Sequence, residues 1–149
     1  LWQLIETADI LVENFRPGAA ARLGFGYEAV AARRPGLIYA SISGFGDTGP
    51  DATRPGYDLI VQGESSMMNI TGAPDTPPFK MGTSIADMVS GMALTQGILA
   101  ALYDRRVSNK GQQVKVSMLE ALSAPYSYCY AFLFLPALAS AFNRQNTLL

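Results

Sequence analysis

Apolar residues follow two rhythms along this chain: short continuous runs, and positions that recur every third or fourth residue. Ile10-Leu11-Val12 is a run of the first kind. It stops at Glu13-Asn14-Phe15-Arg16-Pro17-Gly18, where Pro and Gly predict a strand leaving the core for a surface loop. Leu37 to Ser43 has the length and composition of a second strand, and Gln113 to Ser117 alternates as a half-buried third. Ala19 to Leu23 and Tyr27 to Arg34 read as short helices, the second stopped by Pro35-Gly36 after a basic last turn. Tyr57 to Met68 predicts another helix. From Asp87 to about Arg106, Met88, Met92, Thr95, Leu99 and Leu102 recur at steps of three or four, which predicts a helix turning this stripe to a core. Gly91, Ala93, Gly97, Ala100 and Ala101 would let it pack closely. Gly44 to Pro55 and Gly72 to Gly82 read as loops, and from Met118 onward the composition is helical again.

Strands separated by helices, with none joined by a tight hairpin, predict an α/β fold of parallel strands with helical crossovers. With 49% hydrophobic residues and 15% charged, the chain can bury an apolar core. Leu1-Trp2-Gln3-Leu4-Ile5 reads as mid-helix, and Leu148-Leu149 follows a long apolar stretch, so the chain is expected to be an internal piece of a longer protein.

Charge and composition remove several classes of function. Eleven Lys and Arg against 12 Asp and Glu give a net charge of −1, and the basic pairs Arg33-Arg34 and Arg105-Arg106 lie far apart in sequence, which leaves no nucleic-acid footprint. Cys129 is the only cysteine and histidine is absent. An internal disulfide, a multi-cysteine metal site, a His-ligated zinc and a Ser-His-Asp triad therefore cannot be built from these residues alone, and the single thiol fits a reducing cytoplasm.

Gly44-Phe45-Gly46-Asp47-Thr48-Gly49 matches the dinucleotide-binding pattern after a predicted strand. The pattern must open a helix, whereas Pro50, Asp51 and Pro55 continue a loop, so a glycine-rich turn is the better reading. The uncharged stretch Ala121 to Asn143 has the count of a membrane span, but Pro125, Pro136, several serines and three tyrosines favour a helix buried at a domain or subunit interface. Asp87 admits two readings. With Ser84 as N-cap it is the third helical residue, a carboxylate form of the capping box favoured by the helix dipole. The same place, where backbone N–H groups hold a carboxylate ionised, also suits a nucleophile.

A run of blocks in order resembles the class III coenzyme A transferases: Asp9 to Gly18, Arg22-Leu23-Gly24, Leu37 to Gly46, Gly49-Pro50, Arg54 to Asp58, Thr71-Gly72, Pro77-Pro78, Ser84-Ile85-Ala86-Asp87, Gly91 and Lys110 to Val114. The related α-methylacyl-CoA racemases share that fold. The resemblance implies a Rossmann-like large domain, a second smaller domain and an interlocked homodimer. Residues 1–120 would belong to the large CoA-binding domain and 121–149 would form an apolar helical segment leading toward the second domain or dimer interface. It implies that Asp87 is the nucleophile, that Asn14, Phe15, Arg16 and Arg22 contact CoA, and that Tyr57 is an active-site tyrosine. Guanidinium forks match phosphate oxygens, which suits Arg16 and Arg22, although a solvated charge is an equally plain reading of Arg22. The expected reaction moves CoA from an acyl-CoA to a carboxylic acid through aspartyl intermediates, with the CoA thioester as substrate and no permanent cofactor, metal, nucleic acid or membrane. Two alternatives stand beside it: an acyl-CoA racemase, disfavoured because its histidine would fall at Tyr57, and a non-enzymatic membrane- or partner-binding module. The early CoA-binding segment and the glycine-rich active-site loop implied by the resemblance lie outside this chain.

Overall fold

Three parallel strands form the centre of the computed structural model, which describes residues 1–73 and 75–126. They are β1 (Ile10–Glu13), β2 (Ile38–Ser43) and β3 (Gln113–Ser117), in the order β1-β2-β3. Ile10 pairs with Ile38 and Glu13 with Ser41, while Tyr39 pairs with Gln113 and Ser43 with Ser117. The chain crosses from β1 to β2 through α2 (Ala19–Arg22) and α3 (Tyr27–Arg33), after an opening turn, α1 (Trp2–Ile5). It crosses from β2 to β3 through α4 (Asp58–Glu64), α5 (Met67–Ile70) and the long α6 (Ile85–Ser108), and then continues into α7 (Met118–Ser123) and a 3₁₀ turn at Ala124–Tyr126. The expected α/β layout is therefore present. Most of the predicted segment 121–149 lies outside the described residues.

β2 is central, and Ile38, Tyr39 and Ala40 are all buried because both faces of the sheet are covered. Alternation along the strand sends Tyr39 toward a cluster with Ile5, Ala20, Phe25, Val30 and Leu37, the layer of α1 to α3. Ile42 points the other way, against a cluster of Val61, Ala86, Met118 and Leu122 contributed by α4, α6 and α7. Each basic pair has a member engaged within the fold. Arg33 pairs with Glu6 at 3.1 Å and lies over the Trp2 ring, and Arg105 donates to the Gly36 carbonyl and pairs with Asp9, both at 3.0 Å.

Two helical expectations are corrected. The stripe Met88, Met92, Thr95, Leu99 and Leu102 does not face the core: Met88, Met92 and Leu99 are 54%, 62% and 60% exposed. α6 instead buries Ala86, Ser90, Leu94 and Ala101. Small side chains on that stripe let the helix lie close on β2 and β3, so close that a Cβ at Gly97 would stand 2.6 Å from Val114. With 24 residues α6 is long and apolar enough to cross a membrane by length and composition; one stripe packs on the sheet, and its opposite face, with Met88, Met92 and Leu99, is exposed. The helix predicted over Tyr57 to Met68 breaks at Ser66, which adopts φ 65. The Ser65 hydroxyl donates to the Gln62 carbonyl at 3.2 Å and accepts from the Met67 N–H at 3.4 Å, so a side chain competes with the helical ladder at that point.

Candidate active site

Each strand hands the chain to a loop or helix at its carboxyl end, and in parallel α/β sheets that edge is where ligands bind. Here an open cleft of about 530 Å³ lies at that edge. After β1 it is lined by Asn14, Phe15, Arg16 and Pro17, and at the end of β2 by Ile42, Ser43 and Gly44. Pro55, Gly56, Tyr57 and Asp58 line it ahead of and at the start of α4, Asp87 in the first turn of α6, and Met118 at the start of α7.

Local chemistry holds these parts in place. The Phe15 N–H donates to the Glu13 carboxylate at 2.9 Å, and the Phe15 ring meets Phe25 edge to face at 5.8 Å. Gly44 and Gly56 touch back to back: a Cβ at Gly44 would come within 2.4 Å of the Gly56 Cα, so neither position accepts a side chain. That contact sets Tyr57 and Asp58 beside the end of β2. Arg54 braces the intervening loop by pairing with Asp51 at 3.0 Å and with Glu64, while its guanidinium lies over the Phe45 ring. The sequence Gly44 to Gly49 is a turn with positive φ at Gly46 and Gly49 and opens no helix, in agreement with the rejection of a dinucleotide site.

Asp87 is exposed and opens onto the cleft. Ser84 is the N-cap of α6 and Asp87 its third residue, as expected, but the capping box does not form, because the Ser84 side chain caps nothing. The first-turn donor at Ala86 is taken by Asp58 Oδ1 at 2.8 Å. Among the described residues no donor or cation pairs with the Asp87 carboxylate. The expectation that the helix start favours its ionised form is also corrected. Loss of hydration to the cleft walls, and next the negative charge of Asp58, hold its carboxyl above the usual Asp range.

Five of the six predicted site residues, Asn14, Phe15, Arg16, Tyr57 and Asp87, thus come together around one cleft. Arg22 does not line it. It stands at the end of α2 with Nη1 over Gly18, where a Cβ would lie 3.1 Å away, so it adjoins the loop that carries Arg16. Arg16 and Arg22 are exposed, and among the described residues neither has an ion-pair partner. Sequence reading missed Asp58 and Gln62. Their spacing of four on one helix, an acid and an amide, was the available signal.

Comparison with known proteins shows the family. Residues 1–141 match the model of CoA-transferase family III. Over 123 residues the chain is 50% identical to the acetyl-CoA:oxalate CoA-transferase of Acetobacter aceti, covering 82% of this chain and 32% of that protein. Over 122 residues it is 42% identical to the formyl-CoA:oxalate CoA-transferase of Streptomyces coelicolor, covering 82% and 30%. Among solved structures, a CAIB/BAIF family protein from Brucella suis superposes with a TM-score of 0.83 at 38% identity, over 93% of this chain and 36% of that one. The chain spans about a third of the length of the curated relatives it matches.

Proposed function

The chain belongs to CoA-transferase family III, and we propose that Asp87 is the carboxylate that carries CoA between an acyl-CoA donor and a carboxylic acid acceptor. The observation that carries this reading is an exposed aspartate, unpaired among the described residues, on a cleft at the carboxyl edge of a parallel sheet, with the Asn14–Arg16 loop lining the same cleft. Relatives named as CoA-transferases acting with oxalate, and with succinate and glutarate, support the class of reaction.

In the proposed sequence an Asp87 oxygen attacks the thioester carbonyl, the C–S bond breaks, and CoA leaves as thiolate from an aspartyl-acyl anhydride. The thiolate then attacks the aspartyl carbonyl and expels the first acid as carboxylate, leaving an aspartyl-CoA thioester. The acceptor carboxylate attacks this thioester and releases thiolate, which attacks the new acyl carbon and returns Asp87 as a carboxylate. Each step exchanges one anion for another, so no net proton is needed. That suits the residues of this chain, which include no histidine. Arg16 would hold a CoA phosphate, with Asn14 and Phe15 beside it and Tyr57 near the reacting carbon. Arg22, set apart from the cleft, would serve CoA only at a distance from the thioester. The single cysteine of this chain is compatible with a cytoplasmic location, which we propose together with the homodimer that the family resemblance implies.

The test is a transfer assay on the protein expressed from its complete reading frame. Candidate acyl-CoAs are mixed with isotopically labelled carboxylic acids, and label is expected to appear in acyl-CoA. Exchange of α-hydrogen for deuterium without acyl exchange would instead identify an isomerase. Sedimentation with lipid vesicles and no acyl exchange would identify a binding module.

A further inference from the structure

α6 begins without a cap of its own, and its first turn is held from another element. Asp58, the first residue of α4, accepts the Ala86 N–H on Oδ1 at 2.8 Å, while its Oδ2 accepts a Gln62 Nε2–H at 2.6 Å. Gln62 is buried, at 1% exposure, and spends the rest of its amide on the segment leading into α6. Its Nε2 also donates to the Thr83 carbonyl at 3.3 Å, and its Oε1 accepts the Met81 N–H at 2.8 Å. A buried amide with both donors and its acceptor engaged has one workable orientation. It therefore fixes the Asp58 carboxylate, which in turn fixes Ala86, a fully buried residue directly before Asp87.

We propose that Asp58 and Gln62 together position Asp87. By capping Ala86 from α4 they set the first turn of α6 and leave the Asp87 carboxylate, which the Ser84-x-x-Asp87 pattern would otherwise commit to the helix end, free to form a bond. This rests on the reading of Asp87 as nucleophile. A second effect is electrostatic. On the elements packed against α6, Glu64 pairs with Arg54, Lys115 pairs with Asp47, and Glu120 lines a neighbouring cleft. Around Asp87 itself the cleft is lined by Arg16, Tyr57 and Asp58, and the negative charge of Asp58 makes the nucleophile more basic and more reactive once ionised.

The test compares Asp58→Asn, which keeps an oxygen for the Ala86 N–H but removes the charge and the acceptor for Gln62 Nε2, with Asp58→Ala, which removes the charge and both bonds. It uses protein from the complete reading frame, with folding checked by circular dichroism. For Asp58→Asn the acidic limb of the kcat profile should move to lower pH while the plateau falls about tenfold, with KM for acyl-CoA changed less than about threefold. For Asp58→Ala the plateau should fall about a hundredfold, the scale of a small misplacement of a reacting group. A purely structural cap would leave the Asn variant with an unmoved acidic limb whatever its kcat, and that result overturns the proposal. If Asp58→Ala does not fold, the Asn variant alone decides. Failure of the nucleophile reading would appear in the wild type, as absent transfer or an unmodified Asp87, whereas failure of positioning appears only in the variants.

Discussion

Ser84-Ile85-Ala86-Asp87 and Ser117-Met118-Leu119-Glu120 open α6 and α7 with the same pattern of residue types, a serine at the cap and an acid three positions on. In α7 the pattern acts locally: Ser117 is extended, at ψ 126, and its hydroxyl accepts the Glu120 N–H at 3.3 Å. In α6 the serine sits at ψ 68, short of the extended geometry from which a cap side chain reaches the first turn, and the bond is not made. A carboxylate 28 residues earlier in the chain makes one instead. One acid is thereby left beside an ordinary capped helix, and the other stands on a cleft with no partner among the described residues. The lesson is that a capping signature in sequence states what a helix start is able to do, while the tertiary neighbour decides whether its acid is spent there.

Removing the acid should separate the two starts most widely. Asp87→Asn is expected to lower transfer at least about a thousandfold, the scale seen when a covalent nucleophile is lost, while Glu120→Gln changes it less than about threefold; steady-state kinetics of both variants checks this. The same Asp87→Asn should leave the fold more stable at neutral pH. Because the folded-state pKa of Asp87 is raised, the native state holds its proton to higher pH than the unfolded chain. Stability therefore falls as pH rises from the unfolded value through the folded one, and stays lower above it. Urea titrations at acidic and neutral pH should show that fall in the wild type, with the contribution of this group missing in the variant.

Next in size is the lining of the α6 cleft. Arg16→Gln should raise KM for acyl-CoA about tenfold with kcat little changed, the mark of a lost phosphate contact made equally in ground and transition states. An unchanged KM, together with a large effect of Arg22→Gln, would relocate the anion contact to the end of α2. Smaller again is the local cap itself. Ser117→Ala should cost about 1 kcal/mol of stability, whereas Ser84→Ala, with no cap bond to lose, should cost no more than about a few tenths. Equal losses in denaturant titrations would contradict the contrast between the two starts.

Much of the fold was legible because parallel strands leave a plain trace. Leu37 to Ser43 and Gln113 to Ser117 were readable from β-branched and alternating residues, and both appear as strands with near-identical limits. The face of α6 was misread because two stripes share its period. Large residues mark one and small residues the other, and the close approach of Gly97 to Val114 selects the small one, a choice made by the sheet and invisible in the helix alone. The break at Ser66 was equally hidden, since no Gly or Pro stands there and the competing hydroxyl is ordinary in composition. At the site, the loop Asn14 to Arg16 and the placement of Asp87 followed from punctuation and helix-start chemistry, while their roles rested on resemblance to a family. Asp58 escaped notice because its bond to the Ala86 N–H reaches 28 residues along the chain, and periodicity records only neighbours along one element, such as Gln62 four residues on.

The most direct test is chemical capture of the covalent intermediate. The protein from the complete reading frame is incubated with its acyl-CoA donor, quenched with hydroxylamine, digested and weighed peptide by peptide. Asp87 should be found as its hydroxamate, in the peptide carrying Ser84-Ile85-Ala86, and only when the CoA thioester is present. A hydroxamate on another carboxylate, or active transfer with Asp87 never modified, would contradict the account.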